Sequence, residues 1–70
     1  MDNDEKFLRK QIELALSNSA IKYLKELNEV QINDVCNAGV DKWKLGGMRG
    51  LDAVKFSIAY AKTTYKKTRR

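Results

Sequence analysis

Residues 41–50, Asp41-Lys42-Trp43-Lys44-Leu45-Gly46-Gly47-Met48-Arg49-Gly50, form the one long interruption in a chain that otherwise favours helix. They hold the single tryptophan and three of the four glycines, and the sequence contains no proline. Adjacent glycines remove the Cβ penalty at positive φ, so they permit a tight change of direction. A chain of 70 residues interrupted in this way is constrained to fold helix back onto helix. Trp43, three residues before the glycine pair, is expected to anchor the turn by burying its ring while its indole N–H finds a partner. Lys42, Lys44 and Arg49 would then ring that turn.

The length allows one domain, residues 1–70, with a small core whose stability a dimer or partner would raise. The fold class expected is all-α, a bundle of three to four helices with the glycine-rich turn before a basic C-terminal helix. Cys36 is the only cysteine and there is no histidine. A disulfide within the chain is therefore impossible, and neither a metal site nor a cofactor is expected. The opening Met1-Asp2-Asn3-Asp4-Glu5 is acidic where a secretory signal would be basic, and no apolar run approaches the roughly 20 residues that span a bilayer. A cytoplasmic protein without a membrane role is the expectation.

Periodicity assigns the helices. Residues 4–16 read as amphipathic, capped by Asp2 or Asn3. Phe7, Leu8, Ile12, Leu14, Ala15 and Leu16 lie on a broad apolar face, and Lys6, Arg9, Lys10 and Glu13 face water. Ser17-Asn18-Ser19 reads as a break before a second helix over 20–29, one continuous helix over 4–29 being the competing reading. A third helix is expected over 31–38, with Ile32, Val35 and Cys36 inward and Gly39 as the residue that ends it. In the final helix, 51–67, Leu51, Val54, Ile58, Ala61 and Tyr65 follow the 3-4 spacing of a packed face. The alternation of Val54, Phe56, Ile58 and Tyr60 is compatible with a strand, but the alanines and the length favour helix. The basic end, residues 65–70, is expected to fray. The core predicted from these patterns is Leu8, Ile12, Leu24, Leu27, Val35, Leu51, Val54 and Ile58.

Charge divides the chain unevenly. Residues 1–34 carry seven acids and five bases, a net −2, whereas residues 35–70 carry two acids and nine bases, a net +7. A half so basic points to a polyanionic partner. Lys55, Lys62 and Lys66 form a ridge on the last helix, continuous with Lys42, Lys44 and Arg49 if the turn folds beside the helix start. Unspecific phosphate contact is the natural chemistry of such a surface.

Three other patterns bear on function. Ile32-Asn33-Asp34-Val35-Cys36-Asn37-Ala38-Gly39-Val40-Asp41 resembles the first helix and turn of a helix-turn-helix, as at the opening of LacI-type repressor headpieces, with one residue fewer between Val35 and Ala38. The resemblance implies that Asp41, Lys42, Trp43 and Lys44 open a recognition helix, although Gly46-Gly47 would leave it one turn long. The second pattern, Gly46-Gly47-Met48-Arg49-Gly50 before a helix, offers backbone N–H groups beside Arg49 for a phosphate, but it is neither a Walker A loop nor a dinucleotide fingerprint. Third, Phe56 and Tyr60, one turn apart, form a second apolar face that a small monomer hides with difficulty.

Catalysis finds no support in these residues. There is no histidine, no pair of carboxylates in an apolar setting, and no cation or base beside Cys36. The expected function is nucleic-acid binding, of DNA first, by a non-catalytic regulatory or accessory protein. Its phosphate contacts are Lys42, Lys44, Arg49, Lys55, Lys62 and Lys66. Small basic helical proteins of this kind are common in phages and mobile elements. The alternative is an interaction module or inhibitor docking on a protein, or on a second copy in a homodimer, through Phe56 and Tyr60.

Overall fold

The computed structural model describes residues 3–66 and is all-α: α1 (Asn3–Ser17), α2 (Lys22–Lys25), α3 (Glu29–Leu45) and α4 (Gly50–Tyr65). α1 starts with Asp4 and Glu5 in its first turn, where the helix dipole favours acids. It buries Leu8, Ile12 and Leu16 at four-residue spacing, one stripe of a 3.6-residue helix. The Ser17 hydroxyl donates to the Glu13 carbonyl at 3.0 Å, and the Ser19 hydroxyl accepts from the Ile21 N–H at 3.0 Å. Short polar side chains that bond their own backbone in this way compete with helix continuation. Residues 4–29 are accordingly not one helix.

The second helix is far shorter than the expected 20–29. α2 is a single turn that sinks Leu24 into the core. Asn28 then starts the next helix. Its side chain accepts from the Gln31 N–H and the Gln31 side chain accepts from the Asn28 N–H, both at 2.9 Å. This reciprocal cap satisfies two backbone donors at the start of α3, and it explains why Glu29 opens α3 instead of closing α2.

Gly39 does not end a helix. α3 runs through it to Leu45, burying Val35, Cys36, Gly39 and Val40. A Cβ built at Gly39 would lie 2.0 Å from Ser57 Oγ, 2.9 Å from Ile12 Cδ1 and 3.2 Å from the Ala53 carbonyl oxygen. The glycine lets α4 cross against α3 at close range, and that packing offsets the roughly 1 kcal/mol that glycine costs inside a helix. Residues 38–41 are therefore helical. The turn implied by the repressor-headpiece resemblance is absent, and Asp41, Lys42, Trp43 and Lys44 lie in the last turns of α3 rather than opening a new helix.

The true break is residues 46–49. Gly47 takes φ +67°, and the Lys42 carbonyl accepts from the N–H groups of both Gly46 (3.0 Å) and Met48 (3.1 Å). Left-handed backbone favours glycine at that one position. α4 follows with Arg49 as its N-cap. The strand alternative for residues 54–60 is excluded. α4 ends at Tyr65, short of the expected residue 67, and Lys66 leaves the helix at φ −62° and ψ 125°. Tyr65, placed in the fraying end, is instead helical and bonded to Asp34, while the expected fraying of residues 67–70 lies outside the described residues.

α4 buries Ala53, Ser57 and Ala61, not the larger residues of the 3-4 pattern. Of the predicted core, Leu8, Ile12, Leu24 and Val35 are buried. Leu27, Val54 and Ile58 are half-buried against it, while Leu51 is 70% exposed. Phe7 and Leu14, placed on the apolar face of α1, are exposed as well. Burying Ile12, Leu16, Leu24 and Val35 contributes roughly 1.5–3 kcal/mol each.

Cross-chain contacts fix the helix directions. Lys44 near the end of α3 meets Glu5 at the start of α1, and Arg9 reaches Asn33 and Asn37. Lys42 lies over Phe56, and Asp34 meets Tyr60 and Tyr65. α3 thus runs antiparallel to both α1 and α4, which run in the same direction. Among the described residues, no helix is long and apolar enough to cross a membrane.

Candidate functional site

At about 100° per residue, Lys55 and Lys62 fall within roughly 20° of one another on α4 and about 140–160° from Ser57. The seam that buries Ser57 against α3 therefore turns both lysines outward, and both are exposed. Lys66, the C-cap, is exposed at the end of the same row. Lys55 and Lys66 are eleven residues apart, about 16 Å along a helix axis. Asp52 is the only acid in α4.

The expected cations divide into two groups. Lys55, Lys62 and Lys66 share the outward row, and Arg49, the N-cap, is exposed at the start of α4 about 120° around the helix from Lys55. Lys42 and Lys44 are engaged elsewhere. Lys44 Nζ bonds Glu5 Oε1 at 2.8 Å, and Lys42 Nζ stands 5.2 Å from the centroid of the Phe56 ring, within cation–π range. The Lys44 bond, helped by Arg9 Nε 3.5 Å from Glu5 Oε2, holds the Glu5 carboxyl below its usual range even though partial burial opposes the shift. These two lysines tie α3 to α1 and α4, and they do not continue the α4 row.

Sequence reasoning missed two lysines. Tyr23 Oη donates to the Lys62 carbonyl at 3.4 Å, so α2 lies against the C-terminal half of α4 and brings the exposed Lys22 and Lys25 to that end. A one-turn helix carries too little periodicity for this placement to be read in advance.

The aromatic pair is largely committed inside the fold. The Phe56 and Tyr60 rings stack with centroids 6.5 Å apart, and both residues are half-buried. Tyr60 Oη donates to the Asp34 carboxylate at 3.0 Å, and Tyr65 Oη donates to it at 2.6 Å. Hydrogen bonding to Asp34, together with burial and the carboxylate's charge, pushes the Tyr65 phenol up to about 12 and raises that of Tyr60 in the same direction. Asp34 is the clamp that holds the far end of α4 to α3.

A groove of about 490 Å³ opens between α1 and the start of α4, lined by Asp4, Phe7, Leu8, Gln11, Trp43, Gly50, Leu51 and Val54. Trp43 packs against the core from the last turns of α3 with part of its surface in this groove. Phe7 and Leu51 could have been found from sequence only by knowing that the small residues of α4, not its large ones, pack inward.

Cys36 is buried, its Sγ 3.7 Å from the Arg9 carbonyl oxygen. Burial raises its thiol above the ordinary value, which suppresses the reactive thiolate. Among the described residues, no three His, Cys, Asp or Glu side chains gather in a group that could hold a metal ion. Compared with known proteins, the chain matches no family model, no curated protein and no solved structure.

Proposed function

We propose that this chain is a small non-catalytic protein that binds nucleic acid through the outward face of α4, with Lys55, Lys62 and Lys66 contacting phosphates and Arg49 beside them. The observation that carries the reading is the division among the cations. The α4 row points away from the buried seam and makes no ion pair among the described residues, whereas Lys44 is spent on Glu5. A row about 16 Å long covers an axial rise of roughly five base pairs of duplex at about 3.4 Å each. Lys22 and Lys25, exposed on α2, lie at the same end of the bundle as Lys62. The regulatory or accessory role and the phage-like setting remain part of the proposal, supported by size and charge alone.

Docking on a protein through Phe56 and Tyr60 gains no comparable support, because the Tyr60 hydroxyl is bonded to Asp34 and Phe56 carries Lys42. Fluorescence anisotropy with a labelled duplex and its matched single strand, stepped through salt, tests the proposal. Four phosphate contacts predict a log–log slope of about −3.6 on duplex and about −2.8 on single strand. Lys55→Glu with Lys62→Glu should abolish binding, and Phe56→Ala with Tyr60→Ala should leave it nearly intact. Binding that vanishes by about 100 mM salt, below the physiological range of roughly 150 mM, would reduce the charge to a solubility device.

A further inference from the structure

The groove between α1 and α4 lies directly beside the lysine row. Val54 and Leu51 line it, Lys55 follows Val54 in the chain, and Leu51 is one turn before Lys55. Two aromatic side chains reach the groove, Phe7 from α1 and Trp43 from α3. Phe7 is 66% exposed and Leu51 70%, so a large apolar surface stands open where a helix face of this size would ordinarily be covered. The groove also contains an acid, Asp4, which neither of the ion pairs found among the described residues engages.

We infer that this groove receives an unpaired base, so that the preferred ligand is single-stranded rather than duplex nucleic acid. The inference rests on the proposed phosphate-binding role of α4 and names the strand state that role serves. Proteins that hold single strands pair a cationic track for the backbone with aromatic side chains on which bases stack, and here the two lie side by side. Charge sorts the ligand's parts. Lys55 and Lys62 attract phosphate outside the groove, and the Asp4 carboxylate repels phosphate from inside it. The same carboxylate accepts a hydrogen bond from an exocyclic amine, and Gln11 offers both a donor and an acceptor to a base edge. A paired base within a duplex presents no free face to Phe7 or Trp43, so a duplex gains only the phosphate contacts.

The test compares one labelled oligonucleotide, single-stranded and annealed, on the wild-type chain and on Phe7→Ala and Phe7→Tyr, with Trp43 fluorescence as a second readout. Phe7 is exposed, so neither substitution should disturb folding. Stacking of one base is worth about 5- to 150-fold in affinity. Phe7→Ala should therefore lose at least about fivefold on single strand and nothing on duplex, and Phe7→Tyr should retain wild-type binding. Single strand should change Trp43 emission, and duplex should not. Equal affinity for the two forms, with Phe7→Ala neutral to both, would overturn the inference and leave the phosphate reading standing. So would a Phe7→Ala effect confined to sedimentation, which would make the groove a self-association surface. Binding of neither form would overturn both readings.

Discussion

The two flanks of α4 invert the usual relation between side-chain size and burial. On the α3 side, Gly39, Ala53, Ser57 and Ala61 form a seam of the smallest side chains, all buried. On the α1 side, Phe7, Trp43, Leu51 and Val54 form a groove of large ones, with Phe7 and Leu51 mostly exposed. Backbones that approach closely gain dispersion contacts along their whole length, so a glycine facing small residues can outcompete a stripe of larger side chains for the interior position. Apolar size shows that a face can be buried. The fit between opposing helices decides which face is.

The largest expected effect breaks the seam. Gly39→Val would place a branched side chain where even a Cβ meets Ser57 Oγ at 2.0 Å and the Ala53 carbonyl at 3.2 Å. Chemical denaturation should register a loss of about 3 kcal/mol or more. Gly39→Ala should lose about 2 kcal/mol, since it displaces the Ser57 hydroxyl from its 3.1 Å bond to the Val35 carbonyl while gaining about 1 kcal/mol of helix propensity. Adding Ser57→Ala to Gly39→Ala removes the closest clash, so the double variant should be more stable than the sum of the single changes predicts.

A smaller effect concerns the end of the seam. With Asp34→Asn the Tyr65 phenol should titrate below about 12, closer to the ordinary tyrosine value, with burial still holding it up, as followed by tyrosinate absorbance. The sign follows from proton linkage. A phenol whose pKa is raised on folding stabilises the fold fully below the unfolded value, and that contribution is lost as pH rises from about 10 to about 12. The wild-type chain should lose stability over that window more steeply than the Asp34→Asn variant. At the acid end, Glu5 behaves in the opposite sense. Its lowered carboxyl stabilises the fold above its unfolded value and loses that contribution as pH falls, so Glu5→Gln should flatten the acid limb of the stability profile.

The smallest effect on stability belongs to the groove. Phe7→Ala and Leu51→Ala remove large side chains that the isolated chain leaves mostly in water, so thermal unfolding should move by no more than about 0.5 kcal/mol either way. A loss of several kcal/mol at Leu51 would mean that the groove is closed and that the 3-4 stripe packs inward after all.

The all-α class, the positions of α1 and α4 and the burial of Leu8, Ile12, Leu24 and Val35 were legible in the sequence because each rests on local periodicity, although α4 stops at Tyr65, two residues before its expected end. The run of α3 through Gly39 was not legible. A glycine that stops a helix and a glycine that admits a neighbouring helix look alike until the neighbour is known, and Ser57 is 18 residues away in the chain. The pairing of Lys44 with Glu5 spans 39 positions and was equally out of reach, which is why six cations read as one surface where the fold divides them. The Lys55–Lys62–Lys66 row was readable because it depends on helical spacing alone.

That division of the cations is the claim to test first. The salt dependence of binding to a labelled duplex should be measured for the wild-type chain, for Lys55→Ala with Lys62→Ala, and for Lys42→Ala with Lys44→Ala. Each lost phosphate contact removes about 0.9 from the log–log slope. The α4 pair should therefore flatten the slope by about 1.8, and the α3 pair should leave it unchanged. A flattened slope in the α3 variant with none in the α4 variant, or no binding by the wild-type chain at physiological salt, would contradict the account.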